Sequence, residues 1–205
     1  MRSILVANPK GGCGKTTIAT NLAGAFAQAG FVTALADVDR QLSSLNWIER
    51  RASDLPSISG LDWTEGVGKV KKSVERLVID APAAINPKEF QTLLKMADAI
   101  VMPILPSSFD QVAAMSFLGK IETLKPIRKN RKPVAVVANR IRLRSRASSS
   151  LADFLEQFNH APIATIRDTV LYTDAAESGA SLFDRKDRNA RSFQVDWKPL
   201  IAYLD

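Results

Sequence analysis

Short apolar runs alternate with longer amphipathic stretches along the chain. Ile4–Ala7, Val32–Ala36, Leu77–Ile79, Ala99–Ile104, Val134–Ala138 and Ile163–Ile166 show little polar alternation, as expected of strands buried on both faces. Between them, Ile18, Leu22, Ala25, Phe26 and Ala29 recur at helical spacing, and Gly30 ends that helix. Leu151, Phe154, Leu155 and Phe158 repeat the pattern. Phe193, Trp197, Leu200, Ile201 and Leu204 fall on one face of a last helix. Residues 53–75 follow neither period, because Pro56, Gly60, Gly66 and Gly68 interrupt both. The order predicts an α/β fold: one domain over residues 1–205, with a mainly parallel twisted sheet and helices on both faces.

Composition narrows the class. The 205 residues suit one large α/β domain, and no apolar run approaches the roughly 20 residues that cross a bilayer. The N-terminal run is too short before its first loop for a signal peptide and reads as a strand. One cysteine excludes a disulfide framework, and no Cys/His cluster has zinc-ligand spacing, so a cytoplasmic protein is expected. The net charge is +7, and it is localised. From Lys120 to Arg146, ten Lys/Arg face one acid, Glu122, while the rest of the chain sums to −2. Such a patch fits a polyanion, nucleic acid or an anionic membrane surface, or else a solvated basic face.

The strongest chemical signal is Asn8-Pro9-Lys10-Gly11-Gly12-Cys13-Gly14-Lys15-Thr16-Thr17, between the first strand and the first helix. Pro9 stands where the common phosphate-loop pattern has its first glycine, while Gly14-Lys15-Thr16 is intact. Gly11, Gly12 and Gly14 let backbone N–H groups curl around phosphate oxygens, and the helix N-terminus adds partial positive charge. Lys15 reaches the β/γ oxygens and the Thr16 hydroxyl ligates Mg²⁺. Cys13 is loop filler within this nucleotide-binding stretch. Asp80, ending an apolar strand, holds Mg²⁺ through water or caps a helix. Asp37 and Asp39, two apart on an extended segment, point the same way, or cap a helix starting near Leu42. Asn139, after a buried strand, bonds the adenine edge or is an ordinary turn asparagine.

Lys10 to Thr16 resembles the Lys-Gly-Gly-x-Gly-Lys-Ser/Thr mark of the deviant Walker A ATPases of the ParA/MinD superfamily. Asp37-Val38-Asp39-Arg40-Gln41 is similar to the family's Asp-x-Asp-Pro-Gln switch, with Arg40 replacing proline. Leu77 to Pro82 resembles its Walker B segment, with Ala81 where Thr or Gly is usual. Pro106 to Asp110, Val137 to Arg140, and Tyr172 to Phe183 resemble later segments, and Asn46-Trp47 is found in small single-domain ParA-type proteins. The resemblance implies a P-loop fold, ATP and Mg²⁺, with no N-terminal helix-turn-helix domain. It makes Asp39 the group that positions the attacking water and Asp37 a support for Mg²⁺ or the switch. It also makes Lys10 a lysine reaching across an ATP-dependent homodimer to the partner's phosphates.

Three functions compete on this loop. A metabolic or iron–sulfur enzyme lacks the interface cysteines and a substrate constellation around His160, which reads as a surface or helix-end residue. A MinD-like membrane ATPase needs a C-terminal amphipathic anchor, but Pro199, Asp196 and Asp205 oppose one, so a membrane partner is disfavoured. Nonspecific DNA is favoured by Arg140, Arg142, Arg144 and Arg146, which share one side if the segment is extended, and by Arg185, Lys186, Arg188 and Arg191. The expectation is a nucleoid-associated partition or positioning ATPase working through a ParB-like or other adaptor protein.

Overall fold

A computed structural model describes residues 1–129, 132–157 and 160–205; Phe158 lies outside these. Among the described residues, seven strands form one sheet: β1 (Arg2–Val6), β2 (Thr33–Asp37), β3 (Ile58–Asp62), β4 (Arg76–Asp80), β5 (Ala99–Ile104), β6 (Val134–Ile141) and β7 (Ala164–Arg167). Their spatial order is β3-β2-β4-β1-β5-β6-β7, and every pairing is parallel. The helices are α1 (Lys15–Gln28), α2 (Ser43–Glu49), α3 (Pro87–Met96), α4 (Ser108–Glu122), α5 (Lys125–Arg128), α6 (Arg146–Gln157), α7 (Leu171–Glu177), α8 (Arg188–Gln194) and α9 (Lys198–Leu204).

Alternate strand residues feed two cores. Ile4, Val6, Leu35 and Val78 pack against α1, α2 and the C-terminal helices through Leu22, Phe26, Trp47 and Trp197. Leu5, Leu77, Ile79 and Ile100 pack against α3, α4 and α6 through Phe90, Leu93, Leu118 and Leu155. Helices therefore cover both faces, as a buried parallel sheet requires. The helix after β1 lies on one face and the helix after β4 on the other, which places the crevice for a ligand at the ends of β1 and β4.

Three expectations change. The unreadable stretch contains β3, an edge strand whose middle residues are exposed, so it lacks an apolar period. Gly60 in that strand lets α2 pack close, because a Cβ there would lie 2.7 Å from a Leu45 methyl, which would have to shift. The last apolar face is not one helix: α8 ends at Gln194, a 3₁₀ turn covers Val195–Trp197, and α9 restarts with Pro199 in its first turn. Trp197, Leu200 and Leu204 are fully buried, so this face is spent on the core. No helix among the described residues is long and apolar enough to cross a membrane.

The arginine run is the third. Its residues do not share one side of an extended segment. Arg140 has φ 53°, the β6–β7 register shifts there, and the strand stops at Ile141. Arg144 lies in a turn at φ 64°, and Arg146 opens α6. The Ser145 hydroxyl accepts the Ser148 N–H, a side-chain cap that favours helix over continued strand.

Candidate functional site

Parallel register brings the acidic residues to one sheet edge. Asp37 at the end of β2 pairs with Asp80 at the end of β4, and Asp80 pairs with Val6 just before the glycine-rich loop. Residues opposite one another in adjacent strands present their side chains to the same face. Two carboxylates and the loop are thus neighbours by strand order alone.

The loop is braced from outside. Asn8 donates through its amide to the Pro103 carbonyl (2.7 Å) and accepts the Lys10 N–H (2.9 Å). Gly14 caps α1 at φ 92°, and a Cβ on it would meet the Asn139 amide at 2.4 Å, so only glycine fits. Asn139 donates to the Cys13 carbonyl (2.9 Å). One N–H of its amide is thus used to brace the loop, and the amide has a second N–H to donate. Asn139 also lines a 400 Å³ cavity beside Thr17, with Asp168, Thr169 and Tyr172. The Lys15 ammonium is mostly buried and donates to the Lys10 carbonyl (3.0 Å). Gly11 and Gly12 are exposed, as is Lys10, which forms no ion pair among the described residues. Cys13 is buried, and desolvation pushes its thiol up against the pull of Lys15.

Asp80 is the centre of the site. The hydroxyls of Thr16 and Ser44 both donate to its Oδ2 at 2.7 Å. Its Oδ1 is buried with no hydrogen-bond partner. Burial pushes this carboxyl up to about 6, against the pull of the Ser44 and Thr16 hydroxyls. A buried carboxylate oxygen left bare beside a phosphate-loop hydroxyl fits a hydrated divalent cation. No group of three or more His, Cys, Asp or Glu suited to a metal occurs among the described residues.

Asp37 and Asp39 separate. Asp37 is fully buried, and both its oxygens accept backbone N–H groups: Oδ1 from Asp39, Oδ2 from Ser44 and Leu45. Burial raises its pKa even against those amides. Through these bonds Asp37 caps α2 and anchors the turn that leads into it. Asp39 lies beyond the end of β2 in a half-exposed turn, where Oδ1 accepts the Gln41 N–H at 3.0 Å. A cavity of 780 Å³ is lined partly by Asp39 and Arg40.

The basic residues split into free and paired groups. Arg142 pairs with Asp168 (2.9 Å) and Arg185 with Asp187 (3.0 Å). Arg140, Arg144, Arg146, Lys186, Arg188 and Arg191 are exposed and form no ion pair among the described residues. His160 sits 3.1 Å from Glu122, a surface contact. Sequence reasoning missed Ser44 and Asn8. Only Asn8 carried a local signal, its place directly before the loop.

The maintenance of carboxysome distribution protein A of Halothiobacillus neapolitanus is 29% identical over 188 residues, covering 88% of this chain and 86% of that protein. McdA of Cyanothece, solved as an Asp-to-Ala variant with ATP, superposes with TM-score 0.77 at 16% identity over 98% of this chain and 96% of that one. A plasmid partition protein of Borrelia burgdorferi bound to AMPPNP gives TM-score 0.76 at 14% identity, over 98% and 99%. Residues 4–182 match the CobQ/CobB/MinD/ParA nucleotide-binding domain, and the chain belongs to that family.

Proposed function

We propose that this chain is a Mg²⁺-dependent ATP hydrolase that dimerises with ATP and positions a cellular cargo over DNA through an adaptor protein. The observation that carries the hydrolase reading is the bare Asp80 Oδ1 beside Thr16 under the loop. Mg²⁺, when bound, draws charge from the β- and γ-phosphates. Thr16 and Asp80 hold it, Lys15 faces the phosphates, and Asp39 orients the attacking water. Lys10, exposed and without an ion pair among the described residues, is the cation available to a second copy's phosphates. The roles named for the relatives, carboxysome distribution and plasmid partition, support a positioning role. A single nucleotide-binding domain over residues 1–205 belongs to the same reading.

Two basic groups support nonspecific, phosphate-directed binding to DNA. One protomer neutralises few phosphates. Dimerisation sets two copies on one body, so the second engages at high effective concentration. Retention on random-sequence DNA should therefore rise steeply with ATP and fall by roughly 0.9 log units per log unit of salt for each phosphate neutralised. Arg144→Glu with Arg146→Glu, or Lys186→Glu with Arg188→Glu and Arg191→Glu, should abolish retention without affecting dimerisation. Arg142→Glu should act less, because Asp168 already neutralises Arg142. Surface-binding measurements with ATP and ADP decide this. Equal affinity in both nucleotides, or insensitivity to salt, would reject it.

A further inference from the structure

The turn that carries Asp39 is tied to the candidate metal carboxylate by one side chain. Asp37 takes the Asp39 N–H on one oxygen and the Ser44 N–H on the other (3.0 and 2.8 Å). The Leu42 N–H closes the turn on the Asp39 carbonyl (2.8 Å), and Leu42 is held at φ 53°, a conformation that costs energy outside glycine. Asp39, Leu42 and Ser44 thus form one fixed unit. Its side-chain contact with Asp80 is the Ser44 hydroxyl, fully buried and 2.7 Å from Oδ2.

We propose that Ser44 is a positioning residue that holds Asp80 for the divalent cation and thereby fixes the Asp39 turn relative to the metal–nucleotide complex. The inference rests on the metal–nucleotide reading above. Thr16 and Ser44 donate to the same oxygen, so together they fix the plane of the carboxylate and leave Oδ1 bare. With Thr16 called on by the ion, Ser44 is the donor that remains wholly with the protein. A hydroxyl that orients a metal-holding carboxylate typically governs metal affinity by 10- to 100-fold.

The test is Mn²⁺ affinity at saturating ADP, read by electron paramagnetic resonance, so that neither hydrolysis nor dimerisation enters. Ser44→Ala should weaken Mn²⁺ binding by about 10-fold or more. ADP affinity without metal should stay the same. Ser43→Ala, at the exposed neighbour, should leave Mn²⁺ affinity as in the wild type. Ser44→Thr, which keeps the hydroxyl, should restore it to within a few-fold. Unchanged Mn²⁺ affinity in Ser44→Ala would overturn the inference, even if that variant melts earlier. So would an equal loss in Ser43→Ala, or no rescue by Ser44→Thr. Failure of the wild type to bind Mn²⁺ with ADP would instead remove the metal–nucleotide reading itself.

Discussion

Asp39→Ala should bind ATP and dimerise yet release phosphate on the order of 10²-fold more slowly than the wild type. The side chain sits on a half-exposed turn, and one of its oxygens accepts the Gln41 N–H. Its loss leaves Lys15, Thr16 and Asp80 in place, because none of them bonds to it. Nucleotide binding and catalysis should therefore part company. Phosphoryl transfer depends on orienting the nucleophile, and alanine offers no acceptor for water. Phosphate release with DNA and adaptor present measures the drop, and nucleotide retention on a filter measures binding. Wild-type turnover in this variant would move the role to another residue.

Arg51→Met is expected to cost about 3–5 kcal/mol of stability, because it strands a buried carboxylate. Arg51 meets Asp184 through two hydrogen bonds of 2.8 Å, with side chains only 4% and 2% exposed. Burial raises the Asp184 pKa, but the Arg51, Gln28 and Ser181 donors outweigh it, and the carboxyl ends below its ordinary value. A depressed carboxyl stabilises the fold above its unfolded pKa of about 4, and that stability is lost as pH falls through the folded value. In Arg51→Met the carboxyl no longer has its cation, so protonation relieves the strain of burial. The gap between variant and wild type should then be widest near neutral pH and narrow on acidification. Urea titrations at pH 7 and pH 4 test this, and a gap that does not change with pH would contradict it. The pair also joins the segment just after α2 to the 3₁₀ turn Leu182–Asp184, ahead of the basic α8.

What the sequence made legible was local. Strand, glycine-rich loop and helix are adjacent in the chain, so Gly14, Lys15 and Thr16 were readable directly, and Asp37 and Asp80 were marked by ending apolar runs. Ser44 was not readable, because its partner lies 36 positions away and their meeting depends on β2 pairing with β4. Strand β3 was hidden because an exposed edge strand with a central glycine has no apolar period. Alternate arginines looked like a strand face, but the left-handed backbone at Arg140 and the Ser145 cap break that strand. The bond from Asn139 to the Cys13 carbonyl was not readable either, because the two residues lie 126 positions apart.

The proposed joining of two copies by ATP rests on Lys10. The most direct measurement is the mass in solution by light scattering, for the Asp39→Ala protein with Mg²⁺ and either ADP or ATP. A monomer is expected with ADP and a dimer with ATP. Adding Lys10→Ala should return the ATP form to a monomer while nucleotide still binds. The same mass in both nucleotides would contradict it.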